Sequence, residues 1–460
     1  MICTDGGGKY RKRVKLTSLL QAGHYFLMDF HWSVKNRDAQ NCLQTRRSFL
    51  GYSHQLWPAV RLWHASIFQY HTFSFSRRVT CIHKILFIIF HLAKFQLIMT
   101  DYQNPNLVVH PGKVRSGKIT WRSPSNIALI KYWGKYGNQL PRNPSISFTL
   151  DAAYTETILE YGSKVSDKPG VSVDFMFHRE HNLQFSEKIE RFLTSLLPIF
   201  PFLSQIDLTI FSSNSFPHSA GIASSASAMS ALALCLCSLE DELFGTLSDD
   251  AEFEQKASYI ARLGSGSACR SIFSKAALWG ETPDVKASSN LYATGWGHHL
   301  HPIFTTFHDD ILIISKDEKS VSSTAGHKLM ENNPYAETRY MTVDTRLKRL
   351  ISALKSGDVE RFGAIVEQEA FGLHGLMMLS EPPYLLMQPS TVAAIQRLMS
   401  WRSSTKIPLY FTLDAGPNLH LLYPDESASK VAAFIRSELL PFCVEGSFIP
   451  DRVGNGPRQL

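Results

Sequence analysis

Glutamate is missing from the first 98 residues of this 460-residue chain, where 14 Lys and Arg face only three acids, Asp5, Asp29 and Asp38. The whole chain carries 47 basic and 40 acidic residues. The basic excess therefore belongs to the leading stretch, and residues 99–460 are mildly acidic. That remainder has no charge footprint for nucleic acid or a membrane surface. Cysteine is also scarce, with seven residues in no zinc-knuckle spacing and the closest pair, Cys235 and Cys237, inside an apolar run. An odd count without a framework excludes a disulfide scaffold and points to a reducing, cytoplasmic compartment. No G-x-x-x-x-G-K-[ST] pattern occurs, which excludes a Walker A loop. Long apolar runs are missing too. Ile85 to Ile98 is broken by His91 and Lys94 and falls short of the about 20 residues a spanning helix needs.

What is present begins at Met99. The chain is 44% hydrophobic and 19% charged, enough apolar material for a sizeable core. At about 150 residues per domain it has room for two to three domains. Residues 1–98 show no sustained period, no motif and no signal-peptide layout. They read as an extension produced by a start placed too early, with an acid-poor transit leader as the competing reading. The rest divides into an N-terminal domain over 99–304 and a C-terminal domain over 305–460.

Strands and helices alternate through both. Lys118–Trp121 ends a strand before a Ser-Pro-Ser turn at 123–125, and Thr155–Tyr161, Val171–Phe177 and Asp207–Phe211 have strand patterning. Ser186–Leu197 has a helical apolar stripe, and Ile222–Leu239 is a nearly uncharged helix that must be buried all round. Ser248 is placed to cap a helix ending before Gly264. In the second half, Ile311–Ile314, Leu409–Leu413 and His420–Tyr423 read as strands. Thr338–Ser356, Asp358–Leu376, Pro389–Met399 and Ser427–Leu440 read as helices. The fold class is α+β in two domains.

Four segments carry chemistry. Phe216 to Ala228 joins a loop of small residues to a helix start, where Pro217, Ala220, Gly221, Ala223, Ser224 and Ser225 could cradle phosphate on free N–H groups and hydroxyls. A tight helix-packing face reads equally well from spacing alone. Gly264-Ser-Gly-Ser-Ala-Cys-Arg-Ser271 gathers Ser265, Ser267 and Arg270 into an oxyanion-type cluster, although a lone Gly-x-Gly is ordinarily a loop. Lys131 and Lys135 stand four apart beside Tyr132 and Trp133, which also suits a snorkelling surface. Asp414, in Asp-Ala-Gly-Pro-Asn, alone would be a turn former.

Taken together, these segments resemble the diphosphomevalonate decarboxylases of the GHMP kinase superfamily. The signature N-I-A-x-x-K-Y-W-G-K stands at Asn126–Lys135 and F-P-x-x-A-G-x-A-S-S-A at Phe216–Ala226. G-S-G-S-A-C-R-S stands at 264–271, S-S-T-x-G at Ser322–Gly326 and D-A-G-P-N at 414–418. The resemblance runs from about Lys118 to Glu426. It implies a GHMP kinase fold, with a ribosomal S5 domain 2-like N-terminal domain, a GHMP C-terminal domain and an active site in the cleft between them. It implies ATP-dependent decarboxylation of mevalonate 5-diphosphate to isopentenyl diphosphate, with ADP, phosphate and carbon dioxide. Asp414, Lys131 and Arg270 would be catalytic. Tyr132, Lys135, Ser265, Ser267, Ser323 and Thr324 would hold the substrate. The segment from Pro217 to Ser225 would hold ATP, with Mg2+ carried by the phosphates and Ser225 beside it rather than by direct protein ligands. A cytoplasmic homodimer is also implied, with no nucleic-acid or membrane partner.

The chain departs from the family pattern at Asn143-Pro144-Ser145, where a hydroxyl and an N–H are lost, and over Glu369–His374. The runner-up readings are a monophosphate decarboxylase or a mevalonate 3-kinase, and then a silent metabolite binder. If residues 1–98 are extraneous, a chain started at Met99 is expected to fold and turn over like the full-length form. Its unfolding free energy should be unchanged within about 1 kcal/mol, as measured by denaturant titration beside an assay of carbon dioxide release.

Overall fold

Two long antiparallel strands organise the N-terminal half of the computed structural model, which describes residues 102–110, 114–217, 221–317 and 319–460. The readings made for residues 1–98 lie outside the described residues. Strand β1 (Gly117–Ile130) is followed by a short hairpin of β2 (Lys135–Tyr136) and β3 (Leu140–Pro141), then by β4 (Ser145–Ser163). β1 and β4 pair antiparallel from Gly117↔Tyr161 to Ile130↔Ile146. The Ser-Pro-Ser turn expected at 123–125 is not formed, because β1 runs straight through it. A register shift between Pro124 and Asn126 absorbs the proline, and such irregularities are where strands tolerate a missing N–H.

The first sheet is completed by β5 (Ser172–Phe177), β6 (Glu180–His181), β7 (Ile206–Asn214), β8 (Ala276–Trp279) and β9 (Ala293–Gly295). Helix α1 (Leu183–Ser195) starts three residues earlier than its apolar stripe, because Asn182 accepts from the N–H of Phe185 at 3.1 Å. Helix α2 (Ser224–Phe244) is the apolar-all-round segment, and Leu234, Cys235, Leu236 and Cys237 lie in the core of this lobe. Helix α3 (Asp250–Gly264) is capped by Asp249 rather than Ser248, its carboxylate accepting from the N–H of Glu252 at 2.9 Å.

The second half continues with α4 (Pro302–Thr305), β10 (His308–Leu312), α5 (Ser323–Leu329), α6 (Ala336–Ser356), α7 (Val359–Met378) and α8 (Pro389–Thr405). It closes with β11 (Tyr410–Thr412), β12 (Leu419–Tyr423), α9 (Ala428–Phe434), β13 (Phe448–Ile449) and β14 (Arg458–Gln459). The second sheet has the order β11-β12-β10-β13, and β14 returns to pair with β1 of the first. β10 begins before the aliphatic run, and each of its two acids has a partner on β12. Asp309 meets His420 Nδ1 at 2.7 Å, and Asp310 accepts from the Tyr423 hydroxyl at 2.6 Å. The helix expected over Ser427–Leu440 widens after Phe434 into a π turn at Ile435–Leu439. Pro441 follows it and cannot continue a regular ladder.

The two lobes share a core. Ile127, Leu129 and Phe148 of the first sheet pack with Ile311 and Leu422 of the second and with Leu350 of α6 and Phe362 of α7. The C-terminal tail adds a polar staple, because the Asp451 carboxylate accepts the N–H groups of Asp151, Ala152 and Ala153 at 2.8 Å each. The result is a two-lobed α+β protein whose strand ends β1 and β11 converge between the lobes. No helix of the described residues is long and apolar enough to cross a membrane.

Candidate functional site

Lys131 follows the last residue of β1, and Asp414 lies two residues past the end of β11. Their side chains meet, with Lys131 Nζ 2.9 Å from Asp414 Oδ1. Lys131 is 1% exposed, whereas a quarter of the Asp414 side chain reaches solvent. Burial pulls the lysine below its ordinary value, with Asp414, Glu369 and Asp309 pulling back. Burial also pushes Asp414 up, but the Lys131 charge and hydrogen bond, with smaller pulls from His420 and Arg270, hold it below the usual carboxylate range. The pair is thus an ionised carboxylate partly open to solvent with a buried cation behind it.

Arg270 sits in the tight turn Gly266–Ile272 after α3 and is buried. Its guanidinium donates to Ser147 Oγ at 3.1 Å and Asn126 Oδ1 at 3.3 Å through Nε, and to Ser145 Oγ at 2.7 Å through Nη1. No carboxylate of the described residues forms an ion pair with it. Buried cations are normally paired, so this one is held open by neutral acceptors. Burial lowers its proton affinity, yet an arginine stays charged in proteins. Tyr132 lies against this turn. Its hydroxyl is buried without a hydrogen-bond partner, and a Cβ on Gly266 would stand 2.8 Å from that oxygen. Close approach of ring and backbone requires glycine there.

The loop before α2 meets the Asp414 loop at two glycines. Gly221 has φ +80°, and a Cβ there would fall 3.2 Å from Gly416 Cα. Ile222 O accepts from Ser125 Oγ at 2.6 Å, and Ala223 takes a left-handed conformation at the helix start. Ser224 and Ser225 open α2, and Ser225 Oγ lies 3.2 Å from Ser265 Oγ. This brings the small-residue loop and the Gly-Ser-Gly-Ser segment together. Pro217 is half-buried before the loop, and Ala220 lies outside the described residues. Lys135 Nζ donates to Gln139 Oε1 at 3.0 Å. Ser267 contributes its carbonyl to Asn126 Nδ2 at 3.2 Å. Ser323 Oγ accepts from Lys319 Nζ at 2.9 Å, and Thr324 is exposed beside it.

Several residues that hold this arrangement had no role assigned from the sequence, although Asn143 and the Glu369–His374 segment stood out as departures from the family pattern. Glu369 on α7 is fully buried and takes Arg339 on both oxygens at 2.6 Å and Arg346 at 2.8 Å. It also accepts the N–H of Lys131 at 3.0 Å, while the Lys131 carbonyl accepts from Asn143 Nδ2 and Arg339 Nη2 at 3.0 Å each. The backbone of Lys131 is therefore clamped from both sides. His374 Nε2 donates to the Asp414 carbonyl at 3.1 Å. Burial lowers its pKa to about 4, keeping it neutral. Lys319 donates to Ala415 O at 3.2 Å. The departures from the family pattern at Asn143-Pro144 and Glu369–His374 are thus absorbed into the support of the Lys131–Asp414 pair.

The fold and this cleft define a GHMP-type two-lobed protein. Residues 123–290 match the diphosphomevalonate decarboxylase-like N-terminal domain, and residues 310–449 match the mevalonate 5-diphosphate decarboxylase C-terminal domain. The diphosphomevalonate decarboxylase of Gibberella zeae is 30% identical over 330 residues, covering 66% of this chain and 81% of the relative. That of Ganoderma lucidum is 29% identical over 341 residues, covering 69% and 81%. The crystal structure of mevalonate diphosphate decarboxylase from Staphylococcus aureus superposes with a TM-score of 0.64 at 27% identity, covering 75% of this chain and 98% of that one. A structure described as MDDEF in complex with MVAPP, AMPPCP and magnesium gives 0.63 at 29% identity, covering 75% and 99%. The chain belongs to the diphosphomevalonate decarboxylase family.

The Glu369 cluster yields a stability prediction. Burial pushes Glu369 up, but Arg339 foremost, with Arg346 and the Lys131 N–H, holds it below its ordinary value. A depressed carboxylate contributes stability that is present above its unfolded pKa of about 4.3 and is lost as pH falls below it. Glu369→Gln should cost about 3 to 5 kcal/mol at neutral pH, because it leaves the buried Arg339 without its anion, while the half-buried Arg346 can turn to solvent. The difference should shrink toward pH 3. Denaturant titrations across that range check both statements.

Proposed function

We propose that the protein catalyses the ATP-dependent decarboxylation of mevalonate 5-diphosphate to isopentenyl diphosphate, ADP, phosphate and carbon dioxide. The observation that carries this reading is Arg270, a buried arginine without a carboxylate, in the same cleft as a lysine-paired aspartate. A substrate with both a carboxylate and an alcohol to be phosphorylated suits the two together.

In this reading Asp414 takes the proton of the 3-hydroxyl as its oxygen attacks the γ-phosphoryl group of ATP. Lys131 keeps Asp414 ionised and offsets negative charge near the transferring group. The new phosphate then leaves with its electron pair. The bond between C2 and the carboxylate breaks, and its electrons form the double bond to C3, releasing carbon dioxide. Arg270 holds the carboxylate in line for that cleavage, and the Asp414 carboxylate stabilises positive charge developing at C3. Tyr132, Lys135, Ser265, Ser267, Ser323 and Thr324 hold the substrate and its diphosphate. Pro217, Ala220, Gly221, Ala223, Ser224 and Ser225 hold the ATP phosphates.

Among the described residues no group of three His, Cys, Asp or Glu is placed to hold a metal. In this reading magnesium is carried by the ATP phosphates, with Ser225 as the neighbouring protein oxygen, and when bound it would supply charge neutralisation. The reading carries with it a cytoplasmic, homodimeric enzyme of isoprenoid biosynthesis. Carbon dioxide release with ATP, comparing mevalonate 5-diphosphate with the monophosphate, tests it. Release from the diphosphate is expected, and ADP formation without carbon dioxide would instead favour a 3-kinase.

Two substitutions probe the roles. Asp414→Asn preserves size but removes the proton acceptor, so kcat should fall at least about 100-fold with little change in KM. Arg270→Lys preserves charge but loses the planar fork that Ser145, Ser147 and Asn126 orient. ADP and carbon dioxide formation should fall together, as followed in parallel steady-state assays.

A further inference from the structure

His327 joins the two walls of the cleft. It lies on α5, which Ser322 caps by accepting from the N–H of Ala325 at 3.2 Å. It stands four positions after Ser323, so both occupy one face of the helix. Its Nδ1 accepts the N–H of Gly134 at 2.9 Å. Its ring lies 4.4 Å from that of Tyr132 and 4.6 Å from that of Trp133.

The hydrogen bond fixes the chemistry of the ring. A backbone N–H only donates, so Nδ1 must be unprotonated and Nε2 must carry the proton. The surroundings agree. Burial comes first, and Lys135 of β2 and Lys319 ahead of α5 add repulsion, so the pKa falls to about 3. Gly134 needs this acceptor because its own geometry is constrained. It has φ +97°, and a Cβ would fall 2.0 Å from the Tyr340 hydroxyl oxygen, so only glycine fits. Its carbonyl already accepts from Arg142 N at 3.2 Å.

We propose that His327 is a positioning residue of the substrate site, a neutral latch that fixes the Tyr132–Lys135 wall against the Ser323 helix. The proposal rests on the reading of Tyr132, Lys135 and Ser323 as substrate ligands. It predicts that the acceptor atom, not the aromatic bulk, is what the site uses. Asparagine can offer an oxygen where Nδ1 stands. Phenylalanine keeps the ring and loses the acceptor.

The test compares His327→Phe and His327→Asn in the full chain. Circular dichroism confirms folding, and KM is measured separately for mevalonate 5-diphosphate and ATP. With Phe, the orphaned Gly134 N–H should loosen the wall and raise KM for the diphosphate about 10-fold or more, leaving KM for ATP within about twofold. With Asn, KM for the diphosphate should stay within about threefold of the parent. A near-parental Phe variant beside an impaired Asn variant would overturn the proposal, since that is the pattern of simple ring packing. Nitrogen-15 NMR of the labelled histidines gives a readout that does not use turnover. The parent should show a His327 ring protonated at Nε2 alone from pH 5 to 8. An imidazolium or a protonated Nδ1 in that range would overturn the latch even if carbon dioxide release proceeds normally. The NMR result also stands if the functional reading itself fails.

Discussion

Burying the Lys131 ammonium is the constraint around which the site is arranged. An unpaired buried charge costs several kcal/mol, and Lys131 is almost fully enclosed. Asp414 supplies the counter-ion at 2.9 Å. A lysine can reach it only if its own backbone is fixed, which is what Glu369, Arg339 and Asn143 accomplish through the Lys131 N–H and carbonyl. The same requirement draws α6 and α7 onto the end of β1. The ion pair also joins the two lobes, because Lys131 belongs to the first sheet and Asp414 to the loop between β11 and β12. The pair keeps the carboxylate ionised while leaving one edge of it in the cleft.

Arg270 follows the opposite rule. Hydroxyl and amide groups hold its guanidinium in place without neutralising it. Neutral acceptors satisfy N–H groups but leave the charge available to an incoming anion. The two buried cations thus differ in their partners, one set against an internal carboxylate and one held by neutral groups alone. A second buried couple lies on the neighbouring strands. Asp309 and His420 meet at 2.7 Å, yet Asp309 Oδ2, His420 Nε2 and Thr412 Oγ1 have no hydrogen-bond partners. His420 is among the groups that lower the Asp414 pKa, so polarity in this layer reaches the cleft through charge rather than contact.

Much of this was legible in the residues. The ordered motifs placed Lys131, Arg270 and Asp414 in one site, and the structure brings Lys131 to Asp414 and the Ser224–Ser225 helix start to Ser265. The uncharged run before Leu239 declared a buried helix because no face of it could meet water. Asn182 and Asp249 were harder to see as caps, since several polar residues near each helix start could serve. The Ser-Pro-Ser segment misled for a definite reason. Proline usually ends pairing, and only the register shift beside Asn126 reveals that the strand continues.

Periodicity and motif order thus determined the α+β class and the family resemblance, because those signals are local in the chain. The support of the site was decided only in three dimensions. Glu369 follows Lys131 by 238 positions and His327 follows Gly134 by 193. Nothing local marks a glutamate on an amphipathic helix as a buried clamp, or a histidine after a glycine as an acceptor for a distant N–H. Burial turns an exposed charge into an obligation to find a partner, and which partner answers depends on how the two lobes pack.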